Sequence, residues 1–237
     1  MREPLLKVQK LFKRFGDFQA LDNVGFEVFP GEILGLIGPN GAGKTTLLEC
    51  LSGILLPDQA GPLIWKGSPL APGRRKEVLF YLPDGMVPYG DHFVPEVLEL
   101  FSGLYANDKK RLDALIERLN LSGTLRKKVA ELSKGTLKRV SLALGLLTTQ
   151  PLLILDEPFD GLDLHQTRSV MELLREIRAQ GRTLLLSIHQ LADAERVCDR
   201  FLLLNNGQCA GEGSMEELKK TTGLEQGGLE QVFLALT

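Results

Sequence analysis

The stretch Gly38-Pro39-Asn40-Gly41-Ala42-Gly43-Lys44-Thr45-Thr46 follows an apolar run, Ile33 to Ile37, and precedes a helix-like stretch beginning Leu47-Leu48. It fits the pattern G-x-x-x-x-G-K-[ST] in a strand, loop and helix context, which a chance Gly-rich turn does not supply. Glycines at 38, 41 and 43 let successive backbone N–H groups turn inward around one anion, and the following helix adds the positive end of its dipole. The stretch reads as a phosphate cradle. In such a loop Lys44 reaches the β- and γ-phosphates of a nucleotide, and the Thr45 hydroxyl coordinates magnesium.

Outward from this loop, Leu152 to Leu155, Thr183 to Ile188 and Phe201 to Leu204 are nearly continuous apolar runs, as expected of parallel strands covered on both faces. Between two of them, Leu164 to Ala179 places Val170, Leu173, Leu174 and Ile177 at helical spacing, which predicts a right-handed βαβ crossover. Toward the N-terminus, Leu5 to Phe12 and Val24 to Phe29 are β-like. From Asp84 to about Gln150 the pattern becomes helical. Val97, Leu98, Phe101 and Leu104 form one stripe, and Leu112, Leu115, Ile116 and Leu119 another. Pro83, Pro88, Pro95 and Pro151, with Gly85 and Gly90, mark the edges of this segment and break regular structure there. The expected architecture is α/β and a single domain over 1–237. Residues 1–83 and 151–237 form its core, and 84–150 an inserted helical subdomain.

The chain has 237 residues, 43% of them hydrophobic, enough for a core of ordinary globular size. Lys and Arg total 28 against 30 Asp and Glu, for a formal charge of -2, so no overall basic field draws the chain to nucleic acid. The start, Met1-Arg2-Glu3-Pro4, lacks the apolar centre of a signal peptide, and no apolar stretch has the length of a bilayer span. A cytoplasmic location is expected. Cys50, Cys198 and Cys209 are odd in number and form no C-x-x-C pair, which predicts buried free thiols and neither disulfides nor a zinc site.

Three further constellations carry chemistry. In Leu152-Leu153-Ile154-Leu155-Asp156-Glu157-Pro158 a buried strand ends in two adjacent carboxylates whose side chains diverge. Asp156 can hold magnesium, directly or through water, while Glu157 faces the space beyond the γ-phosphate and can orient or deprotonate an attacking water. In Leu132-Ser133-Lys134-Gly135-Thr136 a Ser–x–Gly turn opens an apolar helix, a second anion site if Ser133 Oγ and free N–H groups converge, or a plain helix cap. Asp160-Gly161-Leu162-Asp163 and Ser187-Ile188-His189 complete the series in this order.

With these motifs in place, the chain resembles the nucleotide-binding subunit of an ATP-binding cassette (ABC) transporter from about Leu5 to its C-terminus. The resemblance implies a P-loop nucleotide-hydrolase core with a mainly parallel sheet, an N-terminal antiparallel β subdomain and an inserted α-helical subdomain. It makes Gly38 to Thr46 the Walker A loop, Ser133 to Thr136 the signature sequence, and Asp156 and Glu157 the Walker B pair. Asp163 falls in the D-loop, His189 is the switch histidine, and Phe15 is the aromatic that stacks on adenine. The ending Leu229 to Thr237 looks like the tail of exporter-type members handling drugs or lipids. Two features depart from the family. Asp84 stands where Gln usually follows Tyr81-Leu82-Pro83, so it is expected to serve magnesium through water. The signature carries Lys134 and Thr136 where Gly and Gln are commoner, but Ser133 and Gly135 keep its anion-binding part.

The resemblance implies an ATPase using ATP and magnesium, with Glu157, His189 and Lys44 catalytic. Because each signature completes the partner's nucleotide site in this family, a second nucleotide-binding subunit is expected, packed head to tail around two ATP. Transmembrane permease subunits are the further partners, with the chain peripheral on the cytoplasmic membrane face and Met86, Val87, Tyr89 and Phe93 forming a groove for a permease helix. A soluble cassette ATPase acting on DNA, ribosomes or cluster assembly would share every motif. The absence of long coiled-coil insertions or a tandem second cassette favours transport, and no nucleic-acid partner is expected. A P-loop GTPase would need an Asn-Lys-x-Asp segment, which the sequence lacks.

Overall fold

Two sheets, one of four strands and one of six, organise the chain in the computed structural model, which describes residues 2–105 and 108–237. Met1, and positions 106 and 107 within the 84–150 stretch, lie outside the described residues. The chain opens with an antiparallel hairpin, β1 (Leu6–Phe15) and β2 (Phe18–Val28). Both strands extend beyond the predicted segments, since Gly16 at φ 57° allows a tight reversal that sets Phe15 opposite Phe18. Then come β3 (Ile33–Ile37), α1 (Lys44–Ser52), β4 (Ile64–Trp65), β5 (Ser68–Pro69), α2 (Arg75–Val78) and β6 (Leu79–Leu82). Three helices follow, α3 (Val94–Tyr105), α4 (Lys109–Arg118) and α5 (Lys134–Leu147). The remainder is β7 (Leu152–Asp156), α6 (Leu164–Ala179), β8 (Thr183–Ile188), α7 (Leu191–Val197), β9 (Arg200–Asn205), β10 (Gln208–Gly213), α8 (Met215–Thr222) and α9 (Leu229–Leu236).

The smaller sheet has the order β2-β1-β4-β5 and the larger β10-β9-β3-β8-β7-β6. Strands β9, β3, β8, β7 and β6 are parallel, as the apolar runs predict, while β10 joins the edge antiparallel to β9. The tight reversal at Asn206-Gly207, both at positive φ, makes that hairpin, and its strand 208–213 is too polar and Gly-rich to stand out in the sequence.

Alternation inside the apolar strands separates two cores. Ile33, Ile37, Leu153, Leu155, Leu184, Leu186 and Ile188 face the helical side with α5 and α6. Leu34, Leu36, Leu152, Ile154, Leu185, Leu202 and Leu204 face α1 and the N-terminal hairpin. At about 1.5–3 kcal/mol for each fully buried Leu or Ile, this sandwiching fixes the register that brings the strand ends together.

The predicted crossover helix is observed as α6 over 164–179. In α3 the stripe differs at one position. Val97 and Leu98 are buried and Phe101 half-buried, but Leu104 is 67% exposed. Tyr105 takes its place, meeting Phe101 and Phe80 at 5.8 Å between ring centroids, because a 3.6-residue period rotates position 104 off the face. In α4 and just after it, Leu112, Leu115 and Leu119 are buried as expected. Trp65 packs against the core beneath the small sheet. Among the described residues, no helix is long and apolar enough to cross a membrane.

Candidate active site

The phosphate loop leaves β3 at Ile37 and is shaped by two kinds of glycine requirement. A Cβ on Gly38 would lie 2.3 Å from the Leu204 carbonyl oxygen, so close packing decides that position. Gly41 at φ 81° and Gly43 at φ 102° instead adopt left-handed backbone. Helix α1 starts at Lys44, three residues before the predicted Leu47, which places Lys44 and Thr45 in its first turn with free N–H groups. Lys44, only 7% exposed, folds back to donate to the carbonyls of Gly38 at 2.8 Å and Pro39 at 3.3 Å. Its Nζ is also 3.7 Å from Glu157 Oε1.

Asp156 closes β7 directly opposite Ser187 of β8 in the parallel ladder. Its carboxylate is 4% exposed and held by three hydroxyls. Thr45 Oγ1 donates to Oδ2 at 3.0 Å, Tyr81 Oη donates to Oδ2 at 3.2 Å, and Ser187 Oγ donates to Oδ1. Burial first, and then the Asp156 charge, push the Tyr81 phenol far above its ordinary pKa, so it stays a neutral donor. Among the described residues no Lys, Arg or His pairs with Asp156. A buried carboxylate beside a threonine hydroxyl, with no cationic partner, is the hard-oxygen donor set that suits magnesium, which takes few protein ligands and keeps water and phosphate oxygens for the rest. Thr45 and Asp156 would hold it.

Glu157, the next residue, sits at φ 47°, a left-handed conformation that costs a non-glycine residue roughly 1–2 kcal/mol. This turn swings its side chain away from that of Asp156. The strained peptide is held on both sides: Glu157 N–H donates to Ser187 Oγ at 2.9 Å, and its carbonyl accepts from Lys138 Nζ at 2.9 Å. The carboxylate Oε2 accepts from His189 Nδ1 at 2.6 Å. Asp84 is ion-paired through Oδ1 with Lys138.

An open cleft of about 340 Å³ spans these groups, lined by Phe15, Phe18, Pro39, Asn40, Gly41, Gly43, Lys44, Thr45, Thr46, Asp84 and Glu157. Ala42 is buried beneath it. Phe15 is 49% exposed and Phe18 61%; with the Lys13 ammonium 5.3 Å from the Phe15 centroid, the hairpin tip offers two aromatic faces where the sequence singled out one.

The structure therefore brings together Phe15, the phosphate loop, Asp84, Asp156, Glu157 and His189, whereas Ser133 and Gly135 do not line this cleft. Ser133 is exposed and caps α5, its Oγ accepting from Thr136 N–H at 3.4 Å and lying 2.9 Å from Thr136 Oγ1. A Cβ on Gly135 would come 2.6 Å from the Gly161 carbonyl oxygen, so only glycine lets the start of α5 rest on the 160–163 turn. Lys134 Nζ pairs with Asp160 at 2.7 Å, and Asp163 caps α6 by accepting from Gln166 N–H at 2.9 Å. His92 is solvent-facing and contacts Glu96 at 3.4 Å, and His165 is exposed. Cys50, Cys198 and Cys209 are free; Cys50 is buried and the other two are half-buried.

The residue roles read from the sequence omit four side chains. Tyr81 and Ser187 were legible only as polar interruptions of apolar strands. Phe18 depended on knowing the hairpin register. Lys138 read as one charge in the basic start of an apolar helix.

Residues 21–160 match the family described as ABC transporter. An uncharacterized ABC transporter ATP-binding protein of Methanocaldococcus jannaschii is 37% identical over 91% of this chain and 80% of its own length. The Nod factor export ATP-binding protein I of Ralstonia nicotianae is 36% identical over 91% of this chain and 68% of its own. A solved ATP-binding subunit of an ABC transporter superposes with a TM-score of 0.88 at 33% identity, covering 98% of this chain and 99% of that one. The chain belongs to the ABC transporter family as an ATP-binding subunit, and is an ATPase.

Proposed function

We propose that two nucleotide-binding subunits close head to tail around two ATP, each held between Gly38 to Thr46 of one chain and Ser133 to Thr136 of the other, and that this cycle drives a membrane permease. The observation that carries the reading is that Ser133 and Gly135 take no part in their own chain's cleft. A capped, exposed helix start bearing Ser133 has donors suited to phosphate, yet it is not part of the lining of the cleft that holds Lys44 of the same chain.

Within each site Phe15 stacks on adenine, and the loop amides with Lys44 take the β- and γ-phosphates. Magnesium, held by Thr45 and Asp156 and reached through water by Asp84, would neutralise phosphate charge. Glu157 orients the attacking water and accepts its proton, while His189 aims the Glu157 carboxylate and contacts the γ-phosphate. Because both chains donate to the same γ-phosphate, its cleavage removes the contact that favours the closed state, and the population shifts to the open dimer.

Met86, Val87, Tyr89 and Phe93 form the seat for a cytoplasmic permease helix. Val87, Tyr89 and Phe93 are 43–57% exposed at the loop leading from Asp84 into α3, available for contact with an apolar partner surface. Export is the favoured direction, supported by the relatives named for Nod factor export. The chain then sits on the cytoplasmic face of the membrane. Copurification from detergent-solubilised membranes tests the reading. A multispanning protein should accompany the chain, and changing Tyr89 and Phe93 to Ser should release it while sparing basal ATPase. Recovery of ribosomes or DNA instead supports the soluble alternative, and loss of folding in the variant would mean these side chains serve the core.

A further inference from the structure

Lys138 is a buried ammonium that touches both Asp84 and the peptide of Glu157. Its side chain is 8% exposed, and a buried cation persists only where several oxygens satisfy it. The first is Asp84 Oδ1, at the end of β6 where the 84–94 loop begins, and the second is the Glu157 carbonyl, 2.9 Å away. Lys138 itself rides on α5, in the helical insertion. Three parts of the fold therefore meet at one nitrogen: the insertion, the loop after β6, and the left-handed turn after β7.

The turn gives this meeting its consequence. Residue 157 has φ 47°, and small rotations of its flanking peptides redirect the side chain that reaches His189. Its N–H is fixed from the core side by Ser187, and its carbonyl from the insertion side by Lys138. Ser187 belongs to a central strand and cannot move independently of the sheet. Lys138 lies on α5 and is bonded as well to Asp84, so its hold on the Glu157 carbonyl depends on where the loop after β6 places that carboxylate.

We propose that Lys138 is a positioning residue for hydrolysis. Its ammonium holds the Glu157 carbonyl so that the carboxylate points at the attacking water, and the ion pair with Asp84 ties that aim to the placement of the loop after β6. The inference rests on the reading of Glu157 as the group that activates water.

The test compares Lys138→Met with Lys138→Gln in the full chain, reading kcat, ATP dissociation constant and thermal unfolding. Both substitutions abolish the ion pair, but only Gln retains a donor for the Glu157 carbonyl. Lys138→Met should lower kcat at least tenfold with ATP affinity within about threefold of the starting protein. Lys138→Gln should recover kcat to within about threefold, although both variants lose similar thermal stability. Equal kcat in the two variants, whether high or low, overturns the proposal, as does a loss of ATP affinity as large as the loss of kcat. If Lys138→Met does not fold, Lys138→Gln decides alone, and a tenfold fall in its kcat counts against the proposal. Glu157→Gln, assayed beside them, separates the two levels. Full turnover in that variant removes the underlying reading, whereas an inactive Glu157→Gln with a fully active Lys138→Met removes only the role of Lys138.

Discussion

His189 Nδ1 lies 2.6 Å from Glu157 Oε2, joining the end of β8 to the turn that follows β7. A ring nitrogen donating there leaves Glu157 Oε1 on the side of Lys44, 3.7 Å away, where a water in line with a γ-phosphate would sit. Glu157→Gln keeps the shape but cannot accept the water's proton. Turnover should fall by about 10²–10⁴-fold while ATP affinity is retained, as read by steady-state hydrolysis and equilibrium nucleotide titration. Near-normal turnover would assign proton transfer elsewhere.

Lys44 presents the complementary case. It is buried against its own loop carbonyls, so its ammonium is already in place for a phosphate. Lys44→Ala removes a charge-assisted contact of roughly 1.5–3 kcal/mol, which corresponds to about a 10- to 100-fold weaker ATP affinity. Undiminished affinity of a fluorescent ATP analogue would contradict the assignment of the phosphate loop.

Ser187 holds two groups at once, giving its proton to Asp156 Oδ1 and receiving that of the Glu157 N–H. Ser187→Ala leaves a buried oxygen and an N–H without that partner, at about 1–3 kcal/mol. Stability should drop by that amount in denaturant melts, and turnover should fall as well because the Glu157 turn loses its anchor. A variant with unchanged stability would show that neither contact matters to the fold.

These cases also show what the sequence could and could not reveal. The phosphate loop and the Asp156-Glu157 pair were legible because each is contiguous, and the continuous apolar strands fixed where their ends must lie. Ser187 and Tyr81 were not, since their importance comes from register: only the pairing of Asp156 with Ser187 turns an isolated serine into a ligand of the neighbouring strand's carboxylate. Phe18 was lost with the hairpin, whose turn at Gly16 carries no strong signal in a run of mixed polarity. Strand β10 escaped because its pairing with β9, and not its composition, makes it a strand. Lys138 acquires meaning only through contacts with residues 54 and 19 positions away.

A pH effect follows from Cys50 on α1. Burial, the largest influence, raises its thiol from 9.0 to about 11. Above pH 9 the unfolded chain ionises this group while the folded chain does not, so its contribution to stability is complete below 9.0 and is lost as pH rises to about 11. Thermal unfolding should show a decline over that window which Cys50→Ala makes shallower, the rest coming from Cys198, Cys209 and Tyr81, which burial also raises. A decline of equal depth in the variant would place its cause elsewhere.

The shared nucleotide seam is tested most directly by gel filtration of Glu157→Gln at micromolar concentration, with and without ATP and magnesium. The account predicts a dimer when ATP is present and a monomer when it is absent, with Ser133→Arg, which blocks the capped start of α5, leaving the chain monomeric in both conditions. A Glu157→Gln protein that binds ATP and still elutes as a monomer would contradict it.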